Sequence, residues 1–177
     1  MAESPEHKRL ITLGANWMKR NRFPVVYESI KVIGTQEQPD IIGFNSDSCM
    51  VIEVKVSRSD FFADLKKPFR TSNDNPLGTY RLYLTPEGMI TPDELPPKWG
   101  LLYVNKRGSV VEVHTPSKPS RGQWYSANTL DYFKKQAADP ANATLGRSYE
   151  EDYSNFLFDS SVEIERSVLY SIARRQK

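Results

Sequence analysis

Residues 39–56 read PDIIGFNSDSCMVIEVKV. Two apolar runs, Ile41 to Phe44 and Cys49 to Val56, flank the turn formers Asn45-Ser46-Asp47-Ser48, a loop length common in hairpins. An antiparallel hairpin closed there sets Phe44 opposite Cys49, Ile42 opposite Val51 and Asp40 opposite Glu53. Opposed residues share a sheet face, with β-carbons about 4.5 to 5.5 Å apart, and a residue two positions on projects from that same face. Asp40, Glu53 and Lys55 therefore converge on one spot, while Met50, Ile52, Val54 and Val56 turn to the other face as core. Opposed carboxylates repel and need a cation or a proton between them. A hard divalent ion meets that need, because Mg2+ is commonly held by one or two carboxylates, waters and phosphate oxygens.

Upstream, Ser4-Pro5-Glu6 offers a cap, a first-turn proline and an early acid. Leu10, Leu13, Gly14, Trp17 and Met18 then recur at helical spacing toward Asn21, before Pro24. The run PVVYESIKVIG reads as a further strand. Downstream, Ser57 to Asp60 resembles a capping box, and FFADLKK continues as a helix toward Pro68. RTSNDNPLG is a loop by composition, TYRLYLT a strand, ITPDELPPKWG a proline-broken connector, and LLYVN with SVVEVHT a hairpin around Lys106-Arg107-Gly108. The predicted order is helix, three strands, helix, strand, then the hairpin. Beyond a linker at PSKPSRG, helices are expected near 127–138 and from Ser160, with Glu163 completing a capping box. The division is a core over 1–115 and a helical extension over 116–177, too small for a core of its own and expected to pack on the first part.

Composition sets the frame. The chain has 177 residues, 24 basic against 22 acidic side chains and a single cysteine. No apolar stretch approaches the roughly 20 residues that cross a bilayer, and MAESPEHKRL lacks the apolar core of a leader, so neither a membrane span nor secretion is expected. Cys49 cannot close an internal disulfide and has no metal-ligand spacing around it, which suits a reducing, cytoplasmic setting. Charge is uneven: residues 148–165 hold six acids and no base, whereas the last twelve residues hold four bases. The acidic segment 148–165 is a candidate surface for a protein partner.

Pro39, Asp40, Glu53 and Lys55, within that element order, resemble the PD-(D/E)XK nuclease superfamily, the restriction-endonuclease-like fold. EVKVSRSDFFADLKK, TYRLYLTPEG and LPPKWGLLYV are similar to bacterial DNA-repair proteins of the MmcB type and to related phage-borne proteins, over roughly residues 20 to 115. The resemblance implies an α/β core of that kind with an added hairpin and helical tail. It also implies a metal-dependent deoxyribonuclease in repair, recombination or phage DNA metabolism, with Mg2+ or Mn2+ as cofactor. Asp40, Glu53 and the Val54 carbonyl would hold the ion, and Lys55 would serve the attacking water and the phosphate. Many members add an acid from the first helix or first strand, for which Glu28 ranks ahead of Glu6 here. Lys66, Lys67, Arg70 and Arg81 are candidate DNA contacts. A single site cuts one strand at a time, so double-strand cleavage would call for a homodimer or two successive events. The alternatives are an exposed salt-bridged strand pair, and an inactive adaptor on the same fold that binds nucleic acid or protein. Ser57, Asp60 and Asp64 read as helix caps and solvated acids rather than ligands, and His7 shows no partner spacing.

Overall fold

The 39–56 hairpin forms in the expected register in the computed structural model, which describes residues 4–30, 37–67, 77–116, 123–137 and 153–175. β2 (Ile41–Phe44) pairs antiparallel with β3 (Cys49–Val54), Phe44 facing Cys49 and Ile42 facing Val51. Asn45 builds the turn, its Oδ1 accepting the Asp47 and Ser48 backbone N–H groups at 2.8 and 2.6 Å. β1 (Val25–Glu28) lies antiparallel on the other side of β2. β3 crosses over through α2 (Arg58–Leu65) to a parallel β4 (Tyr80–Pro86), which pairs in parallel with β5 (Gly100–Val104). β6 (Val110–His114) closes the hairpin with β5, so six strands form one mixed sheet in chain order. Helices flank both faces of this mixed α/β fold.

One face packs on α1 (Pro5–Arg20), whose Leu10, Ile11, Trp17 and Met18 meet Ile41, Met50, Ile52, Leu82 and Leu84. Ser4 caps this helix by accepting from the His7 N–H at 3.1 Å, and Asn21 ends it. The approach is too close for a side chain at two positions. A Cβ on Gly14 would lie 2.5 Å from Ile41 Cδ1, and one on Gly43 would collide with Met18. The other face is covered by α2 through Phe61, which packs with Tyr83, Trp99 and Leu101. Because both faces are covered, every residue of β3 is buried, Glu53 included.

The C-terminal part adds α3 (Ala127–Ala137) and α4 (Val162–Arg175). Trp124, Leu130, Tyr153 and Phe156 join the α1-side core, while Val168 and Ile172 pack with Val51 on the opposite face. Ser126 caps α3, and Asp47 of the β2–β3 turn accepts from the Ser126 N–H, the Ser126 hydroxyl and the Thr129 hydroxyl at 2.7–2.8 Å. α4 begins later than expected. Ser161, not Ser160, accepts from the Ile164 N–H, because the Ser160 hydroxyl bonds Glu165 instead. The loop expected at Arg70 to Gly78, the linker and the first part of the acidic segment lie wholly or mostly outside the described residues. No helix among the described residues is long and apolar enough to cross a membrane.

Candidate functional site

β2 starts one residue after Asp40, which leaves the end of β3 without a main-chain neighbour on that side. The Asp40 side chain takes over the missing rung: its Oδ2 accepts from the Val54 N–H at 2.8 Å. Its own carbonyl accepts from the Ser29 N–H at 2.8 Å, fixing the residue from the β1 side. Alternate peptides of a strand face opposite neighbours, and the Lys55 N–H is spent on the Leu84 carbonyl of β4 at 3.0 Å. The Val54 carbonyl is therefore directed to the same side as Asp40.

Glu53 and Lys55 are each 5% exposed and meet at 3.4 Å. Neither belongs to an exposed salt-bridged strand pair, and the physical reason is α2, which roofs this face of the sheet. Burial opposes the charge on Lys55, but Glu53, Asp64, Asp40 and Asp60 outweigh it and raise the lysine above its ordinary range. Asp40 is pushed up to about 6, first by burial and then by Glu53, against the Val54 N–H, Lys55 and His7, which favour its charged form. Glu53 and Asp40 thus sense each other as the pairing arithmetic requires.

Two residues join the cluster that the sequence reading set aside. Asp64, in the last turn of α2, is not a solvated acid: it is 1% exposed, with Oδ1 3.5 Å from Lys55 Nζ and 2.7 Å from Lys67 Nζ, and Oδ2 accepting from the Tyr83 hydroxyl at 2.9 Å. Its spacing of three from buried Phe61 places it on the inward stripe of α2, a signal present in the sequence. His7 Nε2 lies 3.5 Å from Asp40 Oδ2. Its distance of three and four from Leu10 and Ile11 likewise marks the inward side of α1.

Other candidates lie elsewhere. Glu28 pairs with Ile41, which pairs with Ile52, so it emerges from the α1 face, opposite to Glu53. Glu6 is exposed and bonded to Arg9 at 2.9 Å. Lys66 is exposed, and Lys67 is half-exposed but ion-paired with Asp64. Arg70 lies outside the described residues. Arg81 is not a surface cation: it is 2% exposed, forks onto Glu37 and is packed over the Trp99 and Phe158 rings at 4.8 and 5.5 Å. Among the described residues, no three His, Cys, Asp or Glu groups come together as a ready-made metal cage. A cavity of about 400 Å3 opens at the same end of the sheet, lined by Glu6, Arg9, Pro86, Val104, Asn105 and Lys106 among others.

Fold and cluster together define a mixed α/β domain with a buried acid–lysine site at the C-terminal end of a strand. No protein-family model matches the chain, and no curated protein matches it. A solved structure of a protein of unknown function from Silicibacter pomeroyi is similar at 22% identity, with a TM-score of 0.49, over 80% of this chain and 96% of that one.

Proposed function

We propose that this chain is a Mg2+- or Mn2+-dependent deoxyribonuclease of the PD-(D/E)XK type, hydrolysing phosphodiester bonds in DNA. The observation that carries the reading is the convergence of Asp40, Glu53 and Lys55 where β3 runs past the start of β2. The donor set fits a hard divalent ion. Asp40 and Glu53 offer carboxylate oxygens, the Val54 carbonyl faces the Asp40 side, and an Asp40 carboxyl driven up to about 6, first by burial and then by Glu53, is one whose charged form a cation would favour. When bound there, such an ion supplies polarisation of the phosphoryl group and acidified water. Lys55, whose charged form Glu53, Asp64, Asp40 and Asp60 favour, would donate to a phosphate oxygen on which negative charge grows. Asp40 owes its place to the Val54 N–H and His7, and Lys55 owes its place to Glu53 and Asp64. Substrate phosphates would meet the exposed Lys66 at the end of α2.

A second reading rests on charge balance. Asp40, Glu53 and Asp64 already face Lys55 and Lys67, with His7 3.5 Å from Asp40, so the cluster can stand without an ion, as a nucleic-acid- or protein-binding adaptor on this fold would require. Titrating Mg2+ and Mn2+ into linear, nicked, forked and single-stranded DNA, with EDTA as control, separates the two. Metal-dependent cleavage that Asp40→Asn abolishes is the expected result. DNA binding without cleavage on any substrate would establish the adaptor.

A further inference from the structure

An ammonium carries three N–H bonds, and its direction matters only if something fixes it. Lys55 Nζ donates to Glu53 Oε2 at 3.4 Å and is ion-paired with Asp64 Oδ1 at 3.5 Å, so one carboxylate holds the ammonium from β3 and another from α2. Asp64 is itself held tightly. The Tyr83 hydroxyl takes Oδ2, leaving Oδ1 to the two lysines, and Tyr83 is fixed in turn by stacking on Trp99 at 4.4 Å and by the edge of Phe61 at 5.2 Å. Anchoring α2 does not require this carboxylate. Phe61 already docks the helix, and an apolar residue at 64 would do so without the desolvation penalty of a buried charge, which is weak evidence for a stabilising role.

We infer that Asp64 is the positioning residue for Lys55, holding the ammonium from α2 so that an N–H is aimed at the substrate phosphate. Tyr83 and Lys67 set the carboxylate that does the holding. The kinetic part of this inference rests on the nuclease reading; the structural part does not.

The test uses the full chain labelled with 15N-lysine, in which the Lys55 ammonium resonance is followed alongside steady-state cleavage. Asp64→Asn keeps the shape and an acceptor for Tyr83 while removing the charge. It is expected to shift the Lys55 resonance and to lower kcat about tenfold or more, with KM within about twofold. Added to Lys55→Met, it should cause no further loss, because the group it acts through is gone. Multiplicative losses in the double variant, a kcat that follows only the folded fraction, or an unmoved Lys55 resonance would overturn the inference. Should Asp64→Asn fail to fold, Tyr83→Phe loosens the carboxylate without discharging it, with an expected loss of about threefold; no change in either readout then overturns the inference. If the parent chain cleaves no DNA, the nuclease reading fails alone, and the Lys55 resonance still decides whether Asp64 holds the lysine.

Discussion

Asp40 keeps its charge against its surroundings, and the direction of that conflict can be measured. Its carboxyl moves from 3.8 to about 6 on folding, so between those values the folded chain binds more protons than the unfolded one. This group's penalty is absent below about 4, grows as pH rises and is complete above about 6. Asp40→Asn removes it: metal-free melts at neutral pH should show equal or higher stability than the parent, and the difference should close as pH falls to about 4. On the nuclease reading, a metal ion would displace the same proton, so calorimetric affinity should climb with pH toward about 6 and then level, and Asp40→Asn should lose it. The neighbours of Asp40 give a second expectation. His7→Ala should lower metal affinity or cleavage by about ten- to a hundredfold, whereas Glu28→Gln, on the opposite face, should leave both at parent levels. Equal effects from the two would mean that the site extends across the sheet edge. Lys55 differs from both, because its removal takes a buried cation from Glu53 and from Asp64, which keeps Lys67 and Tyr83, and should cost about 3 to 5 kcal/mol in a thermal or denaturant melt.

At the scale of elements, buried polar contacts tie parts of the chain that hydrophobic pattern alone leaves loosely related. Asp47 in the β2–β3 turn holds the first turn of α3 through three hydrogen bonds, and an acid there also suits the helix dipole. Asp47→Ala should destabilise the chain by about 1 to 2 kcal/mol and speed amide exchange along α3 more than in β3; uniform exchange would argue that α3 and the sheet open as one unit. Arg81 makes the matching point for β4. Its substitution by Ala takes the guanidinium from buried Glu37 and should lower stability by about 3 to 5 kcal/mol, with no change in the salt dependence of any DNA binding. Neither role shows in local sequence, since the partners stand 79 and 44 residues apart.

For the whole molecule, a net charge of +2 says little about a polyanionic partner, and what matters is which cations remain available near the site. Lys66 at the end of α2 and Lys106 in the β5–β6 turn are exposed, while Arg9 is engaged by Glu6 and Lys67 by Asp64, so those two confound a test of affinity. On the nuclease reading, neutralising Lys66 and Lys106 together should weaken DNA binding across sequences and reduce the salt slope by roughly 0.9 per lost duplex phosphate contact; an unchanged slope would place the DNA on another surface. The sequence alone determined the hairpin register, and through it the meeting of Asp40, Glu53 and Lys55, because a period of two and a four-residue turn leave no freedom once the apolar face is chosen. It also determined the element order, the first helix and the crossover helix, whose caps and periodicity are local signals. Only the tertiary structure decided that the acid–lysine cluster is buried rather than solvated, that Asp64 and His7 belong to it, that Glu28 and Arg81 do not present themselves there, and that α3 is fastened by Asp47. Helical spacing marks the inward sides on which Asp64 and His7 stand, but what each group meets there depends on packing between residues far apart in the chain, which local propensity does not encode.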